Sequence, residues 1–383
     1  MRELKTIAAG HVCLDIIPTF LRGAAALDQV MQPGKLVDMG PAVLSTGGSV
    51  ANTGLALKRL GLPVRLMGKV GKDAFGAAVC DIFRSHDEAL VKTMIVDPAV
   101  ATSYTVVISP PGIDRVFLHC PGANDTFAAD DVTPQLLDGM DVFHFGYPPL
   151  MKAFYSGPGE LMRLYKKVKA CGLATSLDMA LPDPQSSAGQ ADWSAILKQA
   201  LPFVDIFSPS SDEIVYMLHR EQGLKVRARA AEGVPMGGLV EDDVRALAGE
   251  LIALGVAVVM LKLGSQGAYL RVTADEARLA ACGCFPAAAC QAWAGAEFFA
   301  PCFDAKVAGT TGSGDCTVAG LLAGIAKGFG PAESVRTAVA VGSASVEKTD
   351  ATSGVPAWAA LDARIRAGWG RETPKVAFRT ARA

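Results

Sequence analysis

From about residue 130 onward the chain alternates short apolar runs with longer amphipathic ones, and few architectures accommodate that rhythm. "DVFHFGY" (141–147), "LATSLDMA" (173–180), "VDIFSPS" (204–210) and "AVVMLKLG" (257–264) read as buried strands. Between them, "GELMRLYKKVKACG" (159–172), a segment beginning at Asp212 and "EDDVRALAGELIALG" (241–255) read as helices. Apolar runs of about four to eight residues between amphipathic helices are what a parallel sheet covered on both faces requires, because neither face of such a strand meets water. The expected fold class is α/β, a doubly wound sheet in three αβα layers.

The N-terminal third breaks the rhythm. Residues 13–45 and 91–125 are strand-and-turn text, as in "TSYTVVISPPGIDRVFLHCPGAND" (102–125). Two β-rich excursions from an α/β core predict a small sheet standing beside it as a lid. The core is then 1–12, 46–90 and 126–370, and 371–383 reads as a frayed tail. "REQGLKVRARAAEGVPMGGLVEDD" (220–243) is polar enough for a surface insertion.

Bulk composition excludes some partners. A net charge of −2 and a pI near 6.2 argue against a nucleic-acid-binding face. No run approaches the roughly 20 apolar residues of a membrane span, and His11 and Asp15 interrupt the apolar stretch at the N-terminus, so a cytoplasmic protein is expected. Nine cysteines, an odd number, read as free buried thiols. Cys282, Cys284, Cys290 and Cys302 cluster, but without the double C-x-x-C spacing of a zinc ribbon, and "FPAAACQAWAGAEFFAP" (285–301) reads as an Ala-rich loop or insertion.

The chemistry begins at "GTTGSGDCTVAGLLAGIAKG" (309–328). A helix start leaves about four backbone N–H groups unpaired and carries partial positive charge, so it attracts anions. Gly312, Ser313 and Gly314 would let the backbone curl into a cradle for an oxygen-rich ligand. Asp315 at the junction has two readings: an ordinary N-cap, or a general base that takes a proton from a hydroxyl attacking a phosphoryl group. The loop is not a Walker A motif, since no Gly-Lys here is followed by Ser or Thr. No H-R-D or D-F-G set is present either.

"STGGSVANTGLALKRLG" (45–61) repeats the device. Gly47 and Gly48 would admit a ligand to the backbone. Asn52, one turn into the helix, is either a donor–acceptor for polyol hydroxyls or a polar residue on an exposed face. Asp15 falls just past the first strand, where ligands gather in open α/β sheets. Asn124 is either a substrate contact or part of a turn closed by Pro-Gly and Asn-Asp. His11 and His144 read as satisfied core histidines.

Taken together, these segments resemble the ribokinase-like carbohydrate kinases of the phosphofructokinase B type. "GGSVANTGLALKRLG" is similar to the family's N-terminal signature, "GKVGKDAFG" (68–76) to its next landmark, and "GTTGSGD" (309–315) to its C-terminal D-T-x-G-A-G-D. "PSSDE" (209–213) is similar to its N-x-x-E, and "KLGSQG" (262–267) to its nucleotide-side strand and turn. The resemblance implies an ATP- and Mg²⁺-dependent kinase of a small sugar or sugar-like polyol, phosphorylating a primary hydroxyl. Asp315 would be the base and Gly312, Ser313 and Gly314 the anion hole. Asp15, Gly47, Gly48 and Asn52 would hold the sugar, with Asn124 a further contact. Lys262, Gly264, Gly267 and Ser210 would lie on the ATP side, and Glu213 would organise Mg²⁺ through water. The family's lid commonly forms a dimer interface as well.

Several positions depart from the family pattern. Gly309 replaces the opening Asp and Ser210 the Asn of N-x-x-E, which leaves room for a non-catalytic sugar or nucleotide sensor. Asp350–Ala351 stand where several members carry Gly–Ala beside a monovalent-cation site, which argues against K⁺ activation. Gly146 replaces an acidic sugar ligand of ribokinase and Cys13 an Asn, which disfavours ribose. Phe20, Tyr104 and Phe117 in the excursions keep a nucleoside kinase on the same scaffold as the rival reading.

Overall fold

The computed structural model describes residues 4–21, 23, 31–112, 116–157 and 159–383. In chain order its strands are β1 (Thr6–Gly10), β2 (Cys13–Phe20), β3 (Met39–Gly47), β4 (Val64–Met67), β5 (Lys69–Gly71), β6 (Ile95–Asp97) and β7 (Tyr104–Ile108). They continue as β8 (Val116–Cys120), β9 (Val142–Gly146), β10 (Ala174–Asp178), β11 (Ile206–Phe207), β12 (Val258–Lys262), β13 (Ala268–Val272) and β14 (Glu297–Ala300). Eight form one sheet in the order β14-β13-β12-β11-β10-β9-β1-β4. The six from β12 to β4 run parallel, as the apolar runs predict, but β13 runs antiparallel to both of its neighbours, β12 and β14, so the sheet is mixed.

Period-2 alternation along these strands builds two cores. Ala8, Val258 and Met260 face a cluster with Leu321, Leu322 and Val341, from the helices Ser313–Ala326 and Pro331–Ser345. Ile7, Ala9, Phe143, Phe145, Val259 and Leu261 face the opposite cluster with Leu164 and Leu251, from the helices Glu160–Ala170 and Glu241–Ala253. Each strand is thus buried on both faces, and three αβα layers result.

A second sheet, β3-β2-β7-β8, is built from the two N-terminal excursions. The second excursion joins it only at Tyr104; upstream, β6 pairs with β5 as a separate ribbon. Residues 22 and 24–30 of the first excursion and Arg115 of the second lie outside the described residues.

Two further expectations are corrected. Residues 285–301 are not a loop: they form the helix Ala287–Trp293 and β14, because Cys290, Trp293 and Phe299 are core residues. Residues 371–383 are not frayed either. Phe299 N donates to Ala381 O at 3.0 Å, Ala383 N donates to Phe299 O at 3.0 Å, and Phe378 stacks on Phe299 with ring centroids 4.0 Å apart.

The chain leaves β1 toward β4 on one side and later builds β9 to β12 on the other. That reversal opens a crevice at the carboxyl ends of β1 and β9, where ligands bind in open α/β sheets. The strand ends deliver His11 after β1, Tyr147 after β9, Asp178 at the end of β10 and Lys262 at the end of β12.

Candidate active site

Two helix N-termini converge on the crevice. Gly312 precedes the helix Ser313–Ala326 with φ 71°, and Gly48 precedes the helix Ser49–Arg59 with φ 88°. Both conformations suit glycine, and both turn the chain sharply into the first helical residue. Of the three residues expected to form a cradle, Ser313 has its N–H turned back onto Thr310 O at 3.3 Å.

Asp315 lies in the first turn and is 1 % exposed, and neither of its oxygens caps the helix. Oδ2 accepts from Tyr147 OH at 2.6 Å and Asn52 Nδ2 at 3.0 Å, and Oδ1 from Thr53 Oγ1 at 3.4 Å. This geometry disposes of the N-cap reading of Asp315 and the exposed-face reading of Asn52. Burial pushes the Asp315 carboxyl above its usual range; Tyr147, Asn52, the Lys262 ammonium and Thr53 pull it down. Burial and the neighbouring Asp315 raise the Tyr147 phenol well above the usual tyrosine value, so it is a neutral donor. Its backbone is left-handed at φ 67°, a conformation rare for a bulky residue and concentrated at functional sites.

Lys262 is 8 % exposed and donates to Asp178 Oδ1 at 2.5 Å. Its ammonium abuts the cradle, since a methyl group on Gly314 would sit 3.4 Å from Nζ. Burial works against the charge on Lys262, but Asp178, Glu213 and Asp315 outweigh it and hold the pKa above the usual lysine range. Burial also raises the Asp178 carboxyl, with Glu213 and Asp315 adding to the effect and Lys262 opposing it. Asp178 Oδ2 is buried and has no hydrogen-bond partner among the described residues. Glu213 closes the capping box of the helix Ser211–Leu218, accepting from Ser210 N at 2.7 Å. Its carboxyl is raised by burial, with Lys262 opposing.

Lys262, Gly264, Gly267, Ser210, Ser313 and Gly314 border one cavity of about 510 Å³, so the whole expected ATP side is brought together with part of the anion cradle. Asp15 is placed in the β3-β2-β7-β8 sheet, paired with Ser45 and Thr105, and its carboxylate rests on Gly47. Cys13 Sγ donates to Asp15 Oδ1 at 3.2 Å, and burial raises the Asp15 carboxyl. Gly48 lies against His11, whose ring is 6.3 Å from that of Tyr147.

Asn124 departs from its expected substrate role. It is fully buried in the turn Gly122–Thr126 and spends both polar ends on Val12, accepting from N at 3.1 Å and donating to O at 2.9 Å. It therefore fixes the junction of β1 and β2. His11 departs from the satisfied-core reading: both ring nitrogens lack a partner among the described residues, and burial lowers its pKa to about 3. His144 meets Ser176 Oγ at 2.9 Å through Nδ1, and its Nε2 has no partner among the described residues. Tyr147, Thr53 and Asp178 were not singled out from the sequence. The available signal was position, since Tyr147 follows the strand-end Gly146 and Asp178 ends an apolar strand as Asp15 follows one.

The family departures have local explanations. A side chain at Gly309 would lie 3.1 Å from Thr349 Cα, tighter than an ordinary contact. Asp350 Oδ1 accepts from Thr352 N at 3.0 Å and Ser353 N at 2.7 Å, so it closes a turn. Of the excursion aromatics, Tyr104 packs edge-on against Phe75 and Phe117 is 54 % exposed.

A buried carboxylate aligned with an ammonium and a glycine-lined helix start, on the crevice of a doubly wound sheet, defines a phosphotransferase of the ribokinase-like fold. The chain belongs to the pfkB family of carbohydrate kinases, whose model matches residues 12–358. An uncharacterized sugar kinase of Archaeoglobus fulgidus is 26% identical over 305 residues, covering 79% of this chain and 98% of that protein. The fold is shared with the ATP-bound fructokinase of Xylella fastidiosa, with a TM-score of 0.68 and 17% identity over 95% of this chain and 98% of that one. It is also shared with Arabidopsis thaliana ribokinase complexed with ribose and ATP, with a TM-score of 0.67 and 18% identity over 95% of this chain and 98% of that one.

Proposed function

We propose that the protein transfers the γ-phosphoryl group of ATP to a primary hydroxyl of a small, polyhydroxylated sugar, with Asp315 as the general base. The observation that carries this reading is the setting of Asp315, buried beside an anion cradle and held by donors rather than capping its helix. A raised carboxyl is better matched to a hydroxyl proton than an exposed aspartate. Oδ2 already accepts from both Tyr147 and Asn52, whereas Oδ1 holds only the long contact from Thr53, so we assign Oδ1 to receive the proton of the attacking substrate hydroxyl. The backbone at Gly312 and Gly314 and the Lys262 ammonium would stabilise negative charge on the transferred group. Asp15, Gly47 and Gly48 would hold the sugar, and the β2-β3-β7-β8 sheet would close over it to exclude water.

Among the described residues no three metal-ligating side chains cluster, so a Mg²⁺ ion would be held mainly by phosphate oxygens and water. Asp178 Oδ2, without a partner among the described residues, and the half-buried Glu213 are carboxylates suited to orient that water shell. The ion would supply charge neutralisation of the phosphates. We further propose a homodimer through the lid sheet, where Val43, Leu44, Phe117 and Leu118 are exposed.

Coupled ATP consumption over a panel of sugars, ketoacid sugars and nucleosides tests the reading. A sugar that raises turnover well above the no-acceptor rate supports it. Turnover only with nucleosides favours the nucleoside-kinase alternative. ATP binding with no turnover on any acceptor favours a sensor.

A further inference from the structure

The segment after Gly370 crosses from the nucleotide cavity to the far edge of the sheet, and buried polar side chains are dedicated to holding it. Glu372 N donates to Cys302 O at 2.9 Å, and Arg371 Nη1 to Pro301 O at 2.8 Å. Gln266, 4 % exposed, receives Lys375 N at 2.6 Å and Val376 N at 3.1 Å on its single Oε1. Glu241, also 4 % exposed, receives Arg379 N and Thr380 N at 2.8 Å each, and Thr380 Oγ1 at 2.6 Å. These bonds fix the strap in one place over Glu241 and Gln266.

At its start the strap lies on the cavity, where Glu372, Thr373 and Lys375 form part of the wall, and all three are exposed. The cradle and Lys262 mark the phosphate end of that cavity. A nucleoside must then extend toward the remaining wall, where Phe303, Val307, Val339 and Val346 offer the apolar surface a base needs. The strap adjoins this apolar part, since Arg371 bridges to Phe303 and Glu372 bonds to Cys302.

We propose that the C-terminal strap Glu372–Lys375 is part of the nucleobase subsite and sets which nucleoside triphosphate the enzyme accepts. Glu372 offers only acceptors, Lys375 only donors and Thr373 both, which allows the wall to discriminate between base edges. This rests on the proposed ATP-dependent activity, with the cavity bordered by Lys262, Gly264 and Gly267 taken as the nucleotide site.

The test uses full-length protein. Affinities for non-hydrolysable analogues of ATP, GTP, CTP and UTP are measured by calorimetry, and acceptor KM is measured alongside. Two variants are compared with the parent: the triple E372A/T373A/K375A, which keeps every backbone anchor, and Phe378→Ala, which loosens the strap far from the cavity. The triple variant is expected to weaken the preferred analogue at least about fivefold and to narrow the spread between analogues, with acceptor KM within about twofold. Phe378→Ala is expected to shift affinities in the same direction, and it decides the matter should the triple variant not fold. Unchanged affinities and spread in a folded variant, with the parent still binding nucleotide, would overturn the strap's role alone. A parent that binds none of the four analogues would overturn the nucleotide reading itself and the strap's role with it.

Discussion

Tyr147 OH lies 2.6 Å from Oδ2 of Asp315, a contact between the end of β9 and the first turn of a helix 168 residues further along the chain. It joins the strand-end half of the site to the helix-start half. It also gives the proposed base a neutral donor whose removal is conservative.

Tyr147→Phe removes that donor while leaving the ring. The Tyr147 hydrogen bond lowers the Asp315 pKa against the dominant effect of burial, so its loss raises it. The acidic limb of the kcat/KM profile should move to higher pH, which a pH–rate series reads directly. An unmoved limb would detach that ionisation from Asp315.

Asp15→Ala should raise acceptor KM far more than ATP KM, because Asp15 lies in the β3-β2-β7-β8 sheet and not in the wall of the cavity we assign to nucleotide. Initial-rate kinetics with each substrate varied in turn give the comparison. Equal effects on both would place the sugar elsewhere.

Lys262→Met leaves Asp178 buried without its cation. Breaking a buried pair this way should destabilise the fold by about 3–5 kcal/mol in urea titration. Adding Asp178→Asn should recover part of that loss, since the remaining group is then uncharged. A double variant as unstable as the sum of both singles would mean the two residues do not act as a pair.

Glu241 gives the strap a pH dependence. Burial alone would raise its carboxyl, but hydrogen bonds from Thr380 and Arg379 outweigh burial and hold it at about 2, against 4.5 for an ordinary glutamate. A depressed carboxyl contributes stability that is full above the unfolded value and lost as pH falls through the folded one. The parent should therefore lose stability between about pH 4.5 and 2, and Glu241→Gln should flatten that part of the curve. Denaturant midpoints measured across this range provide the check.

Much of the core was legible because strand burial writes itself into sequence as continuous apolar runs. "DVFHFGY" and "AVVMLKLG" could hardly be anything else, and glycines ahead of Ser49 and Ser313 marked both helix starts. The reversed direction of β13 was not legible, since strand direction depends on the connection rather than on the run. Tyr147 and Asp178 were hidden for a related reason: each acts through a residue more than 80 positions away, and no local pattern encodes that partner. Asn124 misled because its turn sits beside the lid while its amide is consumed by Val12 across 112 residues. The strap read as a tail because its anchors, Gln266 and Glu241, lie far upstream and look like ordinary surface polar residues.

The central claim is that Asp315 is the general base, and Asp315→Asn tests it most directly. The amide keeps the size of the side chain and can still pair with its neighbours after rotation, but it cannot take a proton. With the acceptor that the panel identifies, kcat should fall by about 10²–10⁴. Calorimetric affinity for a non-hydrolysable ATP analogue should stay within about threefold. A variant that retains most of its kcat would contradict the account and remove Asp315 from the chemistry.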